Sequence, residues 1–215
     1  MSGWGERDRQ GIESRDRELI ENLERALGRG AERAGAFLAC RPGCVECCIG
    51  PFPITMLDAL RLRRALRELE AADPAHAARI RERAREAVRA IEEDFPGDRA
   101  SGLFAGDQKA EDAFFERHAS LPCPLLDPAT GLCELYDARP LSCRTYGLPV
   151  RIGQEDLPPC GLCFHGATPE QIEACRVAVD PEGLEDALLE ELGEGETLIA
   201  FALLETSAPE PLPGL

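Results

Sequence analysis

Cys40-Arg-Pro-Gly-Cys44-Val-Glu-Cys47-Cys48 places four thiols in one short stretch, around a Pro-Gly pair suited to turning the chain. Thiolates two or three residues apart can converge on one metal, because a tight turn brings both sulfurs to the same point. Cys47 and Cys48, as neighbours, are expected to point different ways, so that one would serve a second metal or face the core. A disulfide between them would be strained. A second group follows: Cys123-Pro124, then Gly131-Leu132-Cys133, then Arg139-Pro140-Leu141-Ser142-Cys143-Arg144. A third is Cys160-Gly161-Leu162-Cys163, with His165 just beyond. Cys175 stands apart and reads as a small buried hydrophobe. The candidate metal ligands are therefore Cys40, Cys44, Cys47, Cys48, Cys123, Cys133, Cys143, Cys160 and Cys163. Such a set suits zinc or iron, the latter including an iron–sulfur cluster. His118 and His165 lie close in sequence to Cys123 and Cys163 and could each supply an imidazole. Arg41, Arg139 and Arg144 flank the cysteines, where a positive charge would favour thiolate.

Composition narrows the alternatives. A chain of 215 residues can bury a core without disulfide staples, so its ten cysteines ask for another role. Residues 1–17 are polar and charged, with no apolar core of a secretory signal. The longest apolar stretch, residues 198–204, is too short to span a bilayer. The expectation is a cytoplasmic protein in a reducing compartment, where clustered cysteines bind metal or do redox chemistry. The formal net charge of −16 argues against nucleic acid as a partner. That charge is uneven: residues 1–100 carry 18 basic and 19 acidic side chains, residues 101–215 carry 6 and 21. The acidic half reads as solvated surface that keeps the chain soluble.

The elements that must hold the cysteines are helices. Leu19, Ile20, Leu23, Leu27 and Ala31 predict a helix over 15–38, preceded by a disordered segment 1–14. Residues 40–54 form a loop. Thr55 is placed to cap the next helix, with Asp58 completing a capping box and Leu57, Leu60, Leu62, Leu66 and Leu69 facing the core. Asp73-Pro74 ends that helix and starts another, running to about Asp94 on Ile80, Ala84, Val88 and Ile91. A loop over 97–106 leads to a short helix at 108–119. Thr168-Pro169-Glu170-Gln171 and Asp180-Pro181 open two more helices, the second running to about Leu192. The apolar segment 196–206 is expected to be helical, and the tail 207–215 loose. No strand period longer than a few residues is visible. The predicted fold is mainly α: one domain over 15–206, a helical scaffold holding irregular cysteine-rich metal-binding loops, with a helical insert at about 73–119.

Taken together, Cys40, Cys44, Cys47, Cys48, Cys123, Pro124, Gly131, Cys133, Tyr136, Arg139, Pro140, Cys143, Arg144 and Tyr146 form a pattern. It resembles the YkgJ-type CxxCxxCC cysteine-cluster proteins, described as a zinc- or iron-chelating domain, over roughly residues 37–165. The insert at 73–119 departs from that pattern. The resemblance implies metal chelation. Related domains in flagellin lysine methylases, for which an iron–sulfur cluster has been proposed, imply an alternative: an iron–sulfur enzyme or redox protein acting on a protein partner. No Gly-rich loop that would cradle S-adenosylmethionine is present, so a transferase does not follow from these residues. The expected partner is a metal ion. The expectation from the cysteines is that the 40–48 cluster closes only with Cys123, Cys133 and Cys143.

Overall fold

The computed structural model describes residues 6–193 and 195–204. Helices among them are α1 (Glu6–Ala34), α2 (Met56–Ala72), α3 (Pro74–Ile91), α4 (Gln108–Arg117), α5 (Leu141–Thr145), α6 (Pro169–Ala174), α7 (Leu184–Leu192) and α8 (Ile199–Leu204). Strands are short: β1 (Ile54–Thr55), β2 (Gly97–Asp98), β3 (Leu103–Phe104), β4 (Val150–Ile152), β5 (Glu155–Leu157), β6 (Val177–Val179) and β7 (Glu196–Thr197). The fold is mainly α, with the cysteines in loops and short turns. No described helix is long and apolar enough to cross a membrane. The chain divides into two compact units, each made of separate stretches. Met1–Arg41 with Leu141–Glu191 forms the first, and Pro42–Pro140 with Leu192–Leu215 the second.

In the first unit, α1 buries Ile12, Leu19, Leu23 and Leu27 along one face. It begins at Glu6, so residues 6–14 are helical rather than disordered. The reason is visible in Ile12: it falls in phase with Leu19 and Leu23 and is 1% exposed. Residues 1–5 lie outside the described residues. β4 pairs antiparallel with β5 and parallel with β6. Gly30 lets α1 approach β6 closely, since a Cβ there would stand 2.5 Å from Val177 Cγ2. Arg33 Nε donates to Ala174 O at 2.8 Å. Thr168 and Gln171 form the expected capping box of α6. α7 starts three residues later than Asp180-Pro181 suggests. Asp180 and Gly183 both take positive φ, which a right-handed helix cannot contain, and Asp180 Oδ2 instead accepts from Glu185 N–H at 2.7 Å.

In the second unit, α2, α3 and α8 pack around Leu62, Leu66, Ile80, Ala84, Ala202 and Leu203. Thr55 Oγ1 accepts from Asp58 N–H at 3.3 Å, capping α2. The Asp58 carboxylate accepts from Arg61 at 2.6 Å, a pair only 4% and 2% exposed. Asp73 Oδ1 accepts from His76 N–H at 3.0 Å and opens α3 as expected. An aromatic cluster of Phe95, Phe104, Phe114 and Phe201 fills the far end, with ring centroids 4.9–6.3 Å apart. β1, β7, β3 and β2 form an antiparallel sheet in that order. It was not legible from sequence, since two-residue strands carry no period. The last apolar segment is divided: Thr197 lies in β7, and the helix runs from Ile199 to Leu204. The tail 207–215 lies outside the described residues.

Candidate metal centre

In the second unit the chain turns at Pro42-Gly43, with Gly43 at φ +86°, and passes Cys44 into a 3-10 turn over Glu46–Cys48. Gly50, at φ +89°, ends this loop. Two backbone bonds then tie it to a remote segment. Cys123 N–H donates to Cys48 O at 2.8 Å, and Gly50 N–H donates to Leu121 O at 2.8 Å. These bonds flank the antiparallel bridge between Ile49 and Pro122. They place Cys48 and Cys123 side by side.

A second bridge, Leu126 with Cys133, folds the segment 123–134 back on itself. Glu134 N–H donates to Leu125 O and Asp127 N–H to Leu132 O, both at 2.9 Å. Asp127 holds the tip by accepting from Ala129 N–H at 3.0 Å and from the Thr130 hydroxyl at 2.6 Å. Gly131 closes the turn at φ +70°, and a Cβ there would stand 3.6 Å from Val45 Cγ1. Leu125 and Leu135, 1% and 7% exposed, anchor the segment in the α2–α3–α8 core. Fully burying one leucine side chain contributes about 1.5–3 kcal/mol, so these two side chains hold the backbone that carries Cys123 and Cys133 on the core.

The thiols gathered this way act on one another. The Cys48 thiol donates to the Cys47 sulfur. Neighbouring cysteines were expected to point different ways; on the 3-10 turn their side chains are hydrogen-bonded to one another. That hydrogen bond, helped by the Cys47 backbone N–H and the Arg139 charge, lowers the Cys47 thiol to about 6 against burial. Cys48 is pushed up by the proton it donates, by burial, and by the charges of Cys47, Cys123 and Cys133. Burial pushes Cys123 up to about 12, while the N–H groups of Leu125 and Leu126 aim at it and favour its thiolate. Arg139 stacks over the Tyr136 ring at 3.8 Å, which holds its guanidinium in place.

In the first unit Cys40 is exposed, with Sγ 3.9 Å from Tyr146 O. Cys143 is half-buried on α5. Cys160 and Cys163 share a tight turn: Cys163 N–H donates to Cys160 O at 2.8 Å, and Leu162 N–H donates to Cys160 Sγ at 3.4 Å. Phe164, at φ +57°, stacks on Phe37 and donates its N–H to Phe37 O at 2.7 Å. Cys175 is 4% exposed at the end of α6. Arg144 is buried and ion-paired with Glu24, and Arg41 reaches the Ala39 carbonyl at 3.5 Å. His165 is exposed. In the second unit, His118 Nε2 is hydrogen-bonded to Asp94 at 2.9 Å.

All ten cysteines carry thiols rather than disulfides. In the second unit, the charges of Cys47, Cys123 and Cys133 are felt at Cys48, and those of Cys47 and Cys133 at Cys123. The donor set fits a thiophilic ion such as zinc or iron. Its charge is balanced by Arg139 beside Cys47 and by Arg83, whose charge is felt at Cys123. Arg83 was missed in the sequence because it sits on a charge-rich helix far from any cysteine. Among the described residues no group of three or more His, Cys, Asp or Glu is arranged to hold a metal ion.

Comparison with known proteins agrees with the donor chemistry. The family model CxxCxxCC, described as a putative zinc- or iron-chelating domain, matches residues 39–163, more than half the chain. No curated protein matches, and no solved structure does.

Proposed function

We propose that this chain, which belongs to the CxxCxxCC family, chelates zinc or iron through a thiolate centre in its second unit. Cys47, Cys48, Cys123 and Cys133 are the ligands. The observation that carries this reading is the backbone bonding that sets Cys48 beside Cys123 and folds the Cys123–Cys133 segment back on itself. Cys47 presents a thiolate near neutral pH, and Cys48 must give up its proton for both to ligate. Backbone N–H groups at Cys123 and the guanidinium groups of Arg139 and Arg83 offset the charge that deprotonation leaves. A bound ion would supply the cross-link among these loops, so metal binding and loop order are coupled. Cys44 shares the loop, and Cys40, Cys143, Cys160 and Cys163 are the first unit's own candidates. In the first unit the N–H···S bond at Cys160 is the kind of contact that stabilises a ligating thiolate. The same reading carries the expectation of a reducing, cytoplasmic setting, in which ten thiols persist.

Metal analysis with a visible absorption spectrum on anaerobically purified protein tests this. Bound zinc in a colourless protein, or bound iron in a coloured one, supports the reading and names the metal. Protein that holds neither metal after anaerobic purification and reconstitution refutes it.

A further inference from the structure

His76 and Arg83 stand seven residues apart on α3, a spacing that puts both on one helix face. Both meet Glu134, the residue after Cys133. His76 Nε2 lies 2.6 Å from Glu134 Oε1, and Arg83 is ion-paired with the other carboxylate oxygen. Arg83 also reaches the residue after the other cysteine of this segment: its Nε donates to Pro124 O at 2.9 Å. Pro124 has no N–H of its own, so its carbonyl is its one backbone handle. One guanidinium therefore holds the residues following Cys123 and Cys133 at the same time, and its charge is felt at the Cys123 sulfur. The contact is partly buried, with Arg83 and Glu134 side chains 24% and 12% exposed. The planar guanidinium fork suits this double contact; a lysine ammonium could not reproduce it.

We propose that Arg83 is a positioning residue for the thiolate centre, fixing the distance between Cys123 and Cys133 by gripping Pro124 and Glu134 together. The inference rests on the metal-binding reading above. It also gives the helical insert a role: α3 supplies the brace that cysteine loops of irregular backbone lack. Glu134 is the second half of the device, and His76 holds the face of Glu134 that Arg83 leaves.

The test titrates anaerobic, metal-stripped full-length protein with Co(II), in competition with a chelator, and records the sulfur-to-cobalt charge-transfer band. R83Q is expected to bind Co(II) about 10–100-fold more weakly than wild type, as partners behind metal ligands typically do, with an altered band. R83K, which keeps the charge but not the fork, recovers only part of the affinity. R81Q is the control, because Arg81 pairs with Glu70 at 2.6 Å on the same helix without touching the cysteine loops; it leaves the affinity and the band unchanged. If R83Q does not fold, E134Q decides, with the same weakening expected from a carboxylate changed to an amide. R83Q or E134Q binding Co(II) within about twofold of wild type overturns the proposal, as does an equal loss in R81Q. Wild type that takes up no Co(II) refutes the metal reading itself, and this inference falls with it.

Discussion

The two cysteine-bearing regions are built on different principles. In the second unit, backbone hydrogen bonds set Cys48 against Cys123 across 75 residues and Cys133 against Leu126 within one hairpin, and the thiols act on one another electrostatically. In the first unit, Cys40 Sγ lies 3.9 Å from Tyr146 O and close to Gly147, and Cys160 Sγ accepts from the Leu162 N–H. The second arrangement is anchored by leucines reaching into a helical core, the first by glycine geometry and tight turns. A set of coupled thiols is a unit of chemistry, because one proton lost changes its neighbours. At Cys40 the close approach of Gly147 adds a steric requirement on where the sulfur can lie.

Three perturbations sharpen this contrast, ordered by their effect on stability. Leu125→Ala removes the anchor of the second unit's cysteine hairpin and is expected to cost about 2–5 kcal/mol. Urea unfolding measures the loss, and labelling of Cys123 should speed up with it. A cost of a few tenths would mean the hairpin is not held by the core. Gly147→Ala acts on the first unit. Gly147 has φ +114°, and a Cβ there would stand 2.6 Å from Cys40 Sγ. The expected cost is about 1–3 kcal/mol from backbone strain, with the Cys40 thiol displaced and its alkylation rate altered. An unchanged midpoint would show that this steric seat is absent.

The third perturbation leaves stability nearly untouched and reads the Cys47–Cys48 hydrogen bond directly. In metal-free protein, the rate of Cys47 alkylation should follow its thiolate. It rises as pH climbs through about 6 and is flat above. Cys48→Ala removes the donated hydrogen bond that lowers the Cys47 thiol, so the midpoint moves up toward that of an ordinary cysteine. A wild-type midpoint already in the ordinary range, unmoved by Cys48→Ala, would contradict the coupling.

Much of the scaffold was legible because its signals are local. Thr55, Asp73 and Thr168 each cap the helix expected of them, and the apolar faces of α2 and α3 follow the helical period. Asp180-Pro181 misled because the cue is short-range, while Gly183 at φ +70° interrupts the first turn. The cysteine types pointed to metal, yet their grouping was not readable. Cys48 meets Cys123 through backbone bonds 75 residues apart in the chain, and spacing alone says nothing about such closure. The 40–48 cluster was expected to close with Cys123, Cys133 and Cys143; of these, the backbone bonds set Cys123 beside Cys48. Arg83 escaped notice for the same reason, since its partners Pro124 and Glu134 are remote in sequence.

The central claim is that the coupled thiols of the second unit hold the metal. It is tested most directly by measuring bound zinc and iron per chain in anaerobically purified Cys123→Ser and Cys175→Ser variants. Cys123→Ser is predicted to lose metal that wild type binds, while Cys175→Ser, altered at a buried thiol outside the set, keeps it. Full wild-type metal content in folded Cys123→Ser protein would contradict the account.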